Sequence, residues 1–187
     1  MSYGIDIDLD VEQSARQVYD QLVNAPEIGL EARGMLPSDG VPDEPIYRLI
    51  NPKVLAHVQT RSWNGPGREP RWSDEVEGID VPRRVEISFV ARYADANETD
   101  RTAYRTLSWL IRNVPGNYFL VQDSGEARFY HVDGQTWAFD RPGAWNDERG
   151  WPEDWGVSVP YRFRKADRSV PDPLPPMRNV GKATPTT

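Results

Sequence analysis

A chain of 187 residues with 38% hydrophobic content and a net charge of −7 can bury one core without covalent staples. The absence of cysteine excludes disulfides, thiolate metal sites and cysteine nucleophiles. The negative charge argues against nonspecific nucleic-acid binding, which depends on Lys and Arg neutralising phosphates, and it is compatible with a basic partner.

The N-terminal MSYGIDIDLD has neither the basic region nor the apolar core of a signal peptide, and no apolar run reaches transmembrane length. A soluble, cytoplasmic protein that does not touch membrane is therefore expected. Residues 3–9 alternate, with Tyr3, Ile5, Ile7 and Leu9 on one side and Gly4, Asp6 and Asp8 on the other, the pattern of a half-buried strand. Asp10 then reads as a helix cap with Gln13 as its capping-box partner. Val11, Ala15, Val18, Tyr19 and Leu22 follow at helical spacing, up to the break at Asn24-Ala25-Pro26.

A short strand is expected from Gly29 to Gly34, with Leu30 and Ala32 on one side. Residues 36–46 read as a loop, 47–50 as a strand, and 54–63 as a segment holding another. Residues 64–84, rich in Gly, Pro and charge around Trp72, read as a long loop. The run VEISFVARY at 85–93 is a clear strand, with Val85, Ile87, Phe89 and Ala91 alternating with Glu86, Ser88, Val90 and Arg92.

The strongest signal runs from Arg101 to Asp140. Ala103, Leu107, Leu110, Ile111 and Val114 form one helical stripe, with cap candidates at 97–100 and a stop at Pro115-Gly116. Aromatic and β-branched runs follow, with turns at Asp123-Ser124-Gly125 and Asp133-Gly134. Residues 157–164 suit a short edge strand or an extended arm. The Pro-rich, polar stretch from 165 to 187 is expected to be a flexible tail. Together these elements predict an α+β fold: one domain over 1–164, a two-layer sandwich with a mostly antiparallel sheet of about six or seven strands and two helices on one face.

Candidate chemistry is sparse. Asp6-x-Asp8 places two carboxylates on one strand side, an arrangement that can hold Mg²⁺. The surrounding alternation favours a solvated strand face, with Asp10 as a helix cap. His57 and His131 lack any HxH, HxxxH or HExxH partner, so both read as structural or surface residues, and sequence alone leaves open whether they meet in space. Neither GxSxG nor GxxxxGK[ST] is present, and Asn64-Gly65-Pro66-Gly67 reads as a plain turn. No catalytic residue, cofactor or metal site is therefore assigned.

Residues 144–156 are the candidate for partner binding. Trp145, Trp151 and Trp155 either cover this protein's own core or anchor in a partner's pocket. Asp147, Glu148, Glu153 and Asp154 beside them would steer a basic partner.

Several landmarks together resemble a known layout. They are a Tyr-x-hydrophobic strand running into a helix at 3–22, the strand at 85–93, a helix ending in Val114-Pro115-Gly116, a Gly125-Glu126 turn and an Asp133-Gly134 turn. In these places the chain is similar to the swarm-inhibition (Sit) immunity proteins, third type. The resemblance implies a small cytoplasmic protein that occludes a cognate toxin and carries no catalytic residues. Two alternatives stand beside it: a structural or accessory component of a larger assembly such as a phage or secretion particle, and a metal-dependent hydrolase using Asp6 and Asp8.

Overall fold

A computed structural model describes residues 4–37, 44–61, 81–92, 96–122, 127–140 and 150–165. Tyr3, Trp72, the Asp123-Ser124-Gly125 turn, Gly125-Glu126 and the expected tail beyond 165 lie outside the described residues.

The first strand, β1 (Gly4–Val11), is longer than the alternation of 3–9 suggests. Val11 still pairs with Gly116 across the sheet, so the chain is extended where the sequence predicts a helix start. The helix α1 runs Ala15–Val23 and its cap is Ser14, not Asp10. Ser14 Oγ accepts from the Gln17 amide at 3.3 Å, and Gln17 Oε1 accepts from the Ser14 amide at 2.9 Å. This reciprocal box satisfies two amide donors at the start of the helix. Val11 is buried and lies four residues before Ala15, so strand and helix periods overlap there.

The next four strands are β2 (Glu31–Leu36), β3 (Ile46–Ile50), β4 (Val54–Thr60) and β5 (Val85–Ala91). The helix α2 spans Ala96–Asn113 and so begins before the expected caps at 97–100, which fall inside it. Glu98 in its first turn suits the helix dipole and accepts from Arg105 Nη2 at 2.7 Å. Four strands close the fold: β6 (Gly116–Gln122), β7 (Ala127–Val132), β8 (Gln135–Asp140) and β9 (Arg162–Lys165).

These strands form one nine-stranded sheet in the order β2-β3-β4-β5-β1-β6-β7-β8-β9. All neighbours are antiparallel except β8 and β9, which are parallel. The class is α+β, as expected, but nine strands replace the expected six or seven. The strands at the two ends of the sheet fall where strands are expected: β9 overlaps the edge strand or arm at 157–164, and β2 overlaps the short strand at 29–34 and runs on to Leu36.

Gly116 is required where α2 turns directly into β6. A Cβ there would lie 2.5 Å from Val11 Cγ1 and 2.7 Å from the Asp10 carbonyl oxygen. Asp133 and Gly134, with φ of 50° and 75°, make the left-handed pair that a two-residue hairpin turn requires.

Strand alternation divides the buried residues into two groups. Ile5, Ile7, Leu9, Leu49, Ala56, Val58, Ile87, Phe89, Tyr118, Leu120 and Phe129 form one buried cluster with residues of both helices. Those residues are Ala15, Val18 and Leu22 of α1 and Ala103, Tyr104, Leu107 and Leu110 of α2. On the opposite side of β6 and β7, Phe119, Val121 and Tyr130 cluster with Val81, with Val132, Trp137 and Phe139 packed against them. Both sides of the sheet therefore exclude water over part of their area. No helix among the described residues is long and apolar enough to cross a membrane.

Candidate functional site

The second side of the sheet carries the polar chemistry. Because antiparallel partners sit directly opposite one another, the strand registers build two adjacent rows across it. One row runs Arg48, His57, Ser88, Asp6 from β3 to β1. The next runs Gln59, Glu86, Asp8 and then continues into the aromatics Phe119, Tyr130 and Trp137.

The second row is buried at its centre. Asp8 is 1% exposed and Glu86 8%. Two carboxylates facing each other away from water would repel strongly, and they persist because cations and donors surround them. Arg61 Nε lies 3.1 Å from Asp8 Oδ1 and also forms a close ion pair with Glu86. Arg83 Nη1 lies 3.8 Å from Asp8 Oδ2. Gln59 Nε2 and Ser88 Oγ donate to Glu86 Oε1 at 3.2 and 2.6 Å. Burial pushes the Asp8 carboxyl up to about 7, against the opposing pull of Arg61 and Arg83.

This arrangement corrects the reading of β1 as a solvated face with a helix cap. Asp6 and Asp8 share a side, as expected, but Asp8 is sealed into an ion cluster. The guanidiniums of Arg61 and Arg83 approach it where a divalent cation would have to bind. Asp10 belongs to the strand too: it pairs with Arg84 Nε at 3.2 Å and accepts from Asn117 Nδ2 at 3.1 Å.

His57 and His131 do not meet. Strands β5, β1 and β6 separate β4 from β7, a spacing of about 19 Å. His57 pairs with Ser88 on the polar side, whereas His131 is opposite Tyr118 of the main core. His131 Nδ1 lies 2.7 Å from Thr136 Oγ1, and both line a cleft of about 370 Å³. Burial lowers the pKa of both histidines, with Arg48 adding to the effect at His57.

The Trp-rich segment is described from residue 150 onward; Trp145, Asp147 and Glu148 lie outside the described residues. Trp151 and Trp155 are half-buried and pack against the main core. The Trp151 ring meets Phe163 edge-on at 6.0 Å, and Arg101 Cζ stands 5.9 Å over the Trp155 ring. Asp154 is exposed, Glu153 half-buried, and Asp154 Oδ2 accepts from the Trp151 amide at 2.7 Å. The chain is fastened to α2 just beyond, where the Ser158 amide donates to Ser108 Oγ at 3.1 Å and Arg112 binds the Ser158 hydroxyl.

At the far end of the sheet, every residue of β2 is exposed. Met35 at 64% and Leu36 at 39% are the exposed large hydrophobics among the described residues. Among the described residues the strand pairs with β3 alone, and a register shift falls between Ala32 and Gly34.

Arg48, Arg61, Arg83, Glu86 and Ser88 were not singled out by sequence reasoning. For Arg48, Glu86 and Ser88 the only signal is polar residues at alternate strand positions, whereas Arg61 and Arg83 lie just outside β4 and β5; the cluster emerges only once strand order is known. Comparison with protein-family models, with characterised proteins and with solved structures returned no match.

Proposed function

We propose that this chain is a cytoplasmic binding protein, not an enzyme, and that it neutralises a cognate toxin by covering it. The binding half of this reading is carried by β2, an exposed terminal strand bearing Met35 and Leu36 at the sheet's outer edge. Such edges recruit partners through main-chain pairing and apolar contact. The toxin half comes from the resemblance to the swarm-inhibition immunity proteins. The net charge of −7 supports a partner with a basic surface, whose approach it would accelerate.

The ion cluster around Asp8 fits this reading better than hydrolysis, because its carboxylates are already paired with Arg61 and Arg83. Glu153, Asp154, Trp151 and Trp155, with Trp145, Asp147 and Glu148, form a second candidate contact. Trp151 meets Phe163 of β9 edge-on, at the opposite end of the sheet from β2, so separate variants distinguish the two surfaces.

The test is co-expression with the product of the adjacent gene. Co-purification and rescue of growth support the reading. Loss of both with Met35→Lys/Leu36→Lys places the contact on β2, and loss with Glu153→Lys/Asp154→Lys places it on the acidic segment. A protein that neither co-purifies nor protects, and that elutes as a large self-assembly on sizing, belongs instead to the accessory-component class.

A further inference from the structure

The cleft beside His131 has a volume of about 370 Å³, at the lower end of the range of small-molecule sites. Three pieces of chain form it: Ile111 and Arg112 at the end of α2, the β7–β8 hairpin, and Val159, Pro160 and Tyr161 leading into β9. The hairpin contributes His131 and Thr136, register partners whose Nδ1 and Oγ1 stand 2.7 Å apart. This bond fixes the imidazole and leaves Nε2 as the ring nitrogen that a ligand can use. Unlike Nε2 of His57, it is not shielded from solvent.

The charge in this cleft is one-sided. Acidic residues outnumber basic ones in the chain, 29 to 22, yet no Asp or Glu is among the described residues that line it. Arg112 is exposed and forms no ion pair among the described residues; its Nη1 donates to the Ser158 hydroxyl. A guanidinium carries several donors in a planar fork, so others remain for a ligand. Arg162 also lines the cleft, but its guanidinium stands over the Trp137 ring at 5.9 Å, and Trp137 packs on the opposite side of the sheet. Burial lowers the pKa of His131, so the imidazole is neutral near pH 7 and donates from Nε2 when Thr136 donates to Nδ1. One guanidinium and one neutral donor match a singly charged carboxylate. A phosphate monoester, with a charge of about −1.5 to −2 at pH 7, calls for more cations.

We propose that this cleft binds a small organic acid, its carboxylate held by Arg112 and His131 Nε2 and its hydrocarbon part laid against Ile111, Val159, Pro160 and Tyr161. The proposal does not rest on the neutralising function. The charge-assisted bond from the guanidinium selects acids over their neutral analogues, and the apolar wall selects acids that carry a hydrocarbon body.

The two histidines make the test internal. Ring signals of His131 and His57 in the full-length protein are followed by NMR during titration with benzoate, benzyl alcohol, acetate or inorganic phosphate, at constant pH and at constant ionic strength set with chloride. The expected result is saturable movement of the His131 signals with the His57 signals still. Benzoate should bind at least about tenfold tighter than benzyl alcohol, which lacks the charge, and about tenfold tighter than acetate, which lacks the ring. Arg112→Gln should weaken benzoate about tenfold and leave benzyl alcohol unchanged, a split that general loosening of the fold would not produce. The comparison of the four probes on the wild-type chain decides the matter by itself if that variant does not fold. Parallel movement of both histidines, no saturation with benzoate, benzyl alcohol or phosphate binding as tightly as benzoate, or unchanged benzoate affinity in Arg112→Gln overturns the proposal.

Discussion

Replacing Asp8 with asparagine sets burial against ion pairing at a single side chain. The carboxyl is 1% exposed and is raised from 3.8 to about 7 on folding, although Arg61 lies at 3.1 Å and Arg83 at 3.8 Å. Between those pH values the folded chain holds a proton that the unfolded chain has released. Stability from this group is therefore fully present below about pH 4 and lost as pH rises towards 7. A shift from 3.8 to about 7 corresponds to roughly 4 kcal/mol as a ceiling. The substituted amide cannot titrate, so the stability of Asp8→Asn relative to wild type should rise by up to that amount between pH 4 and pH 7. Urea unfolding followed by tryptophan fluorescence at intervals across that range measures it. A difference that stays flat would show that the guanidiniums fully offset burial. A wild type that gains on the variant as pH rises would show that they outweigh it, and the reasoning from burial would be refuted.

Two further substitutions test the packing. Leu107→Ala removes a side chain that is 0% exposed, and it should cost about 2–5 kcal/mol in urea unfolding; a cost below about 1 kcal/mol would mean the α2 stripe is not a main contact with the sheet. Trp151→Ala removes a half-buried ring packed on Phe163 and the core, and it should cost about 2 kcal/mol. Unchanged stability with weakened partner binding would instead make Trp151 an anchor for the partner.

Much of the fold is readable in the chain because local periodicity encodes it. The alternation in β1 and β5 and the stripe of α2 each report one buried side, and the Asp133-Gly134 pair dictates its own turn. Errors arose where two periods coincide. Val11 satisfies both the strand and the helix pattern, and the Ser14–Gln17 box decides the matter through bonds that composition cannot rank against Asp10–Gln13. The exposed strand β2 escaped full recognition because both of its sides face solvent, leaving no alternation to read.

The polar rows were illegible for a different reason. Asp8 and Glu86 look like outward residues of two separate strands, and nothing local says that β1 and β5 are neighbours. Arg61 comes from just beyond β4 and Arg83 from just before β5, so the cluster exists only through long-range pairing. A buried carboxylate on an alternating strand carries the same sequence signal as an exposed one.

Survival of cells that express the product of the adjacent gene, with and without this chain, tests the central claim most directly. With the wild-type chain expressed, growth should be restored. With Met35→Lys/Leu36→Lys, folded by circular dichroism, restoration should be lost. Absence of protection by the wild-type chain would contradict the neutralising function, and full protection by the double variant would contradict the role of β2 as its contact surface.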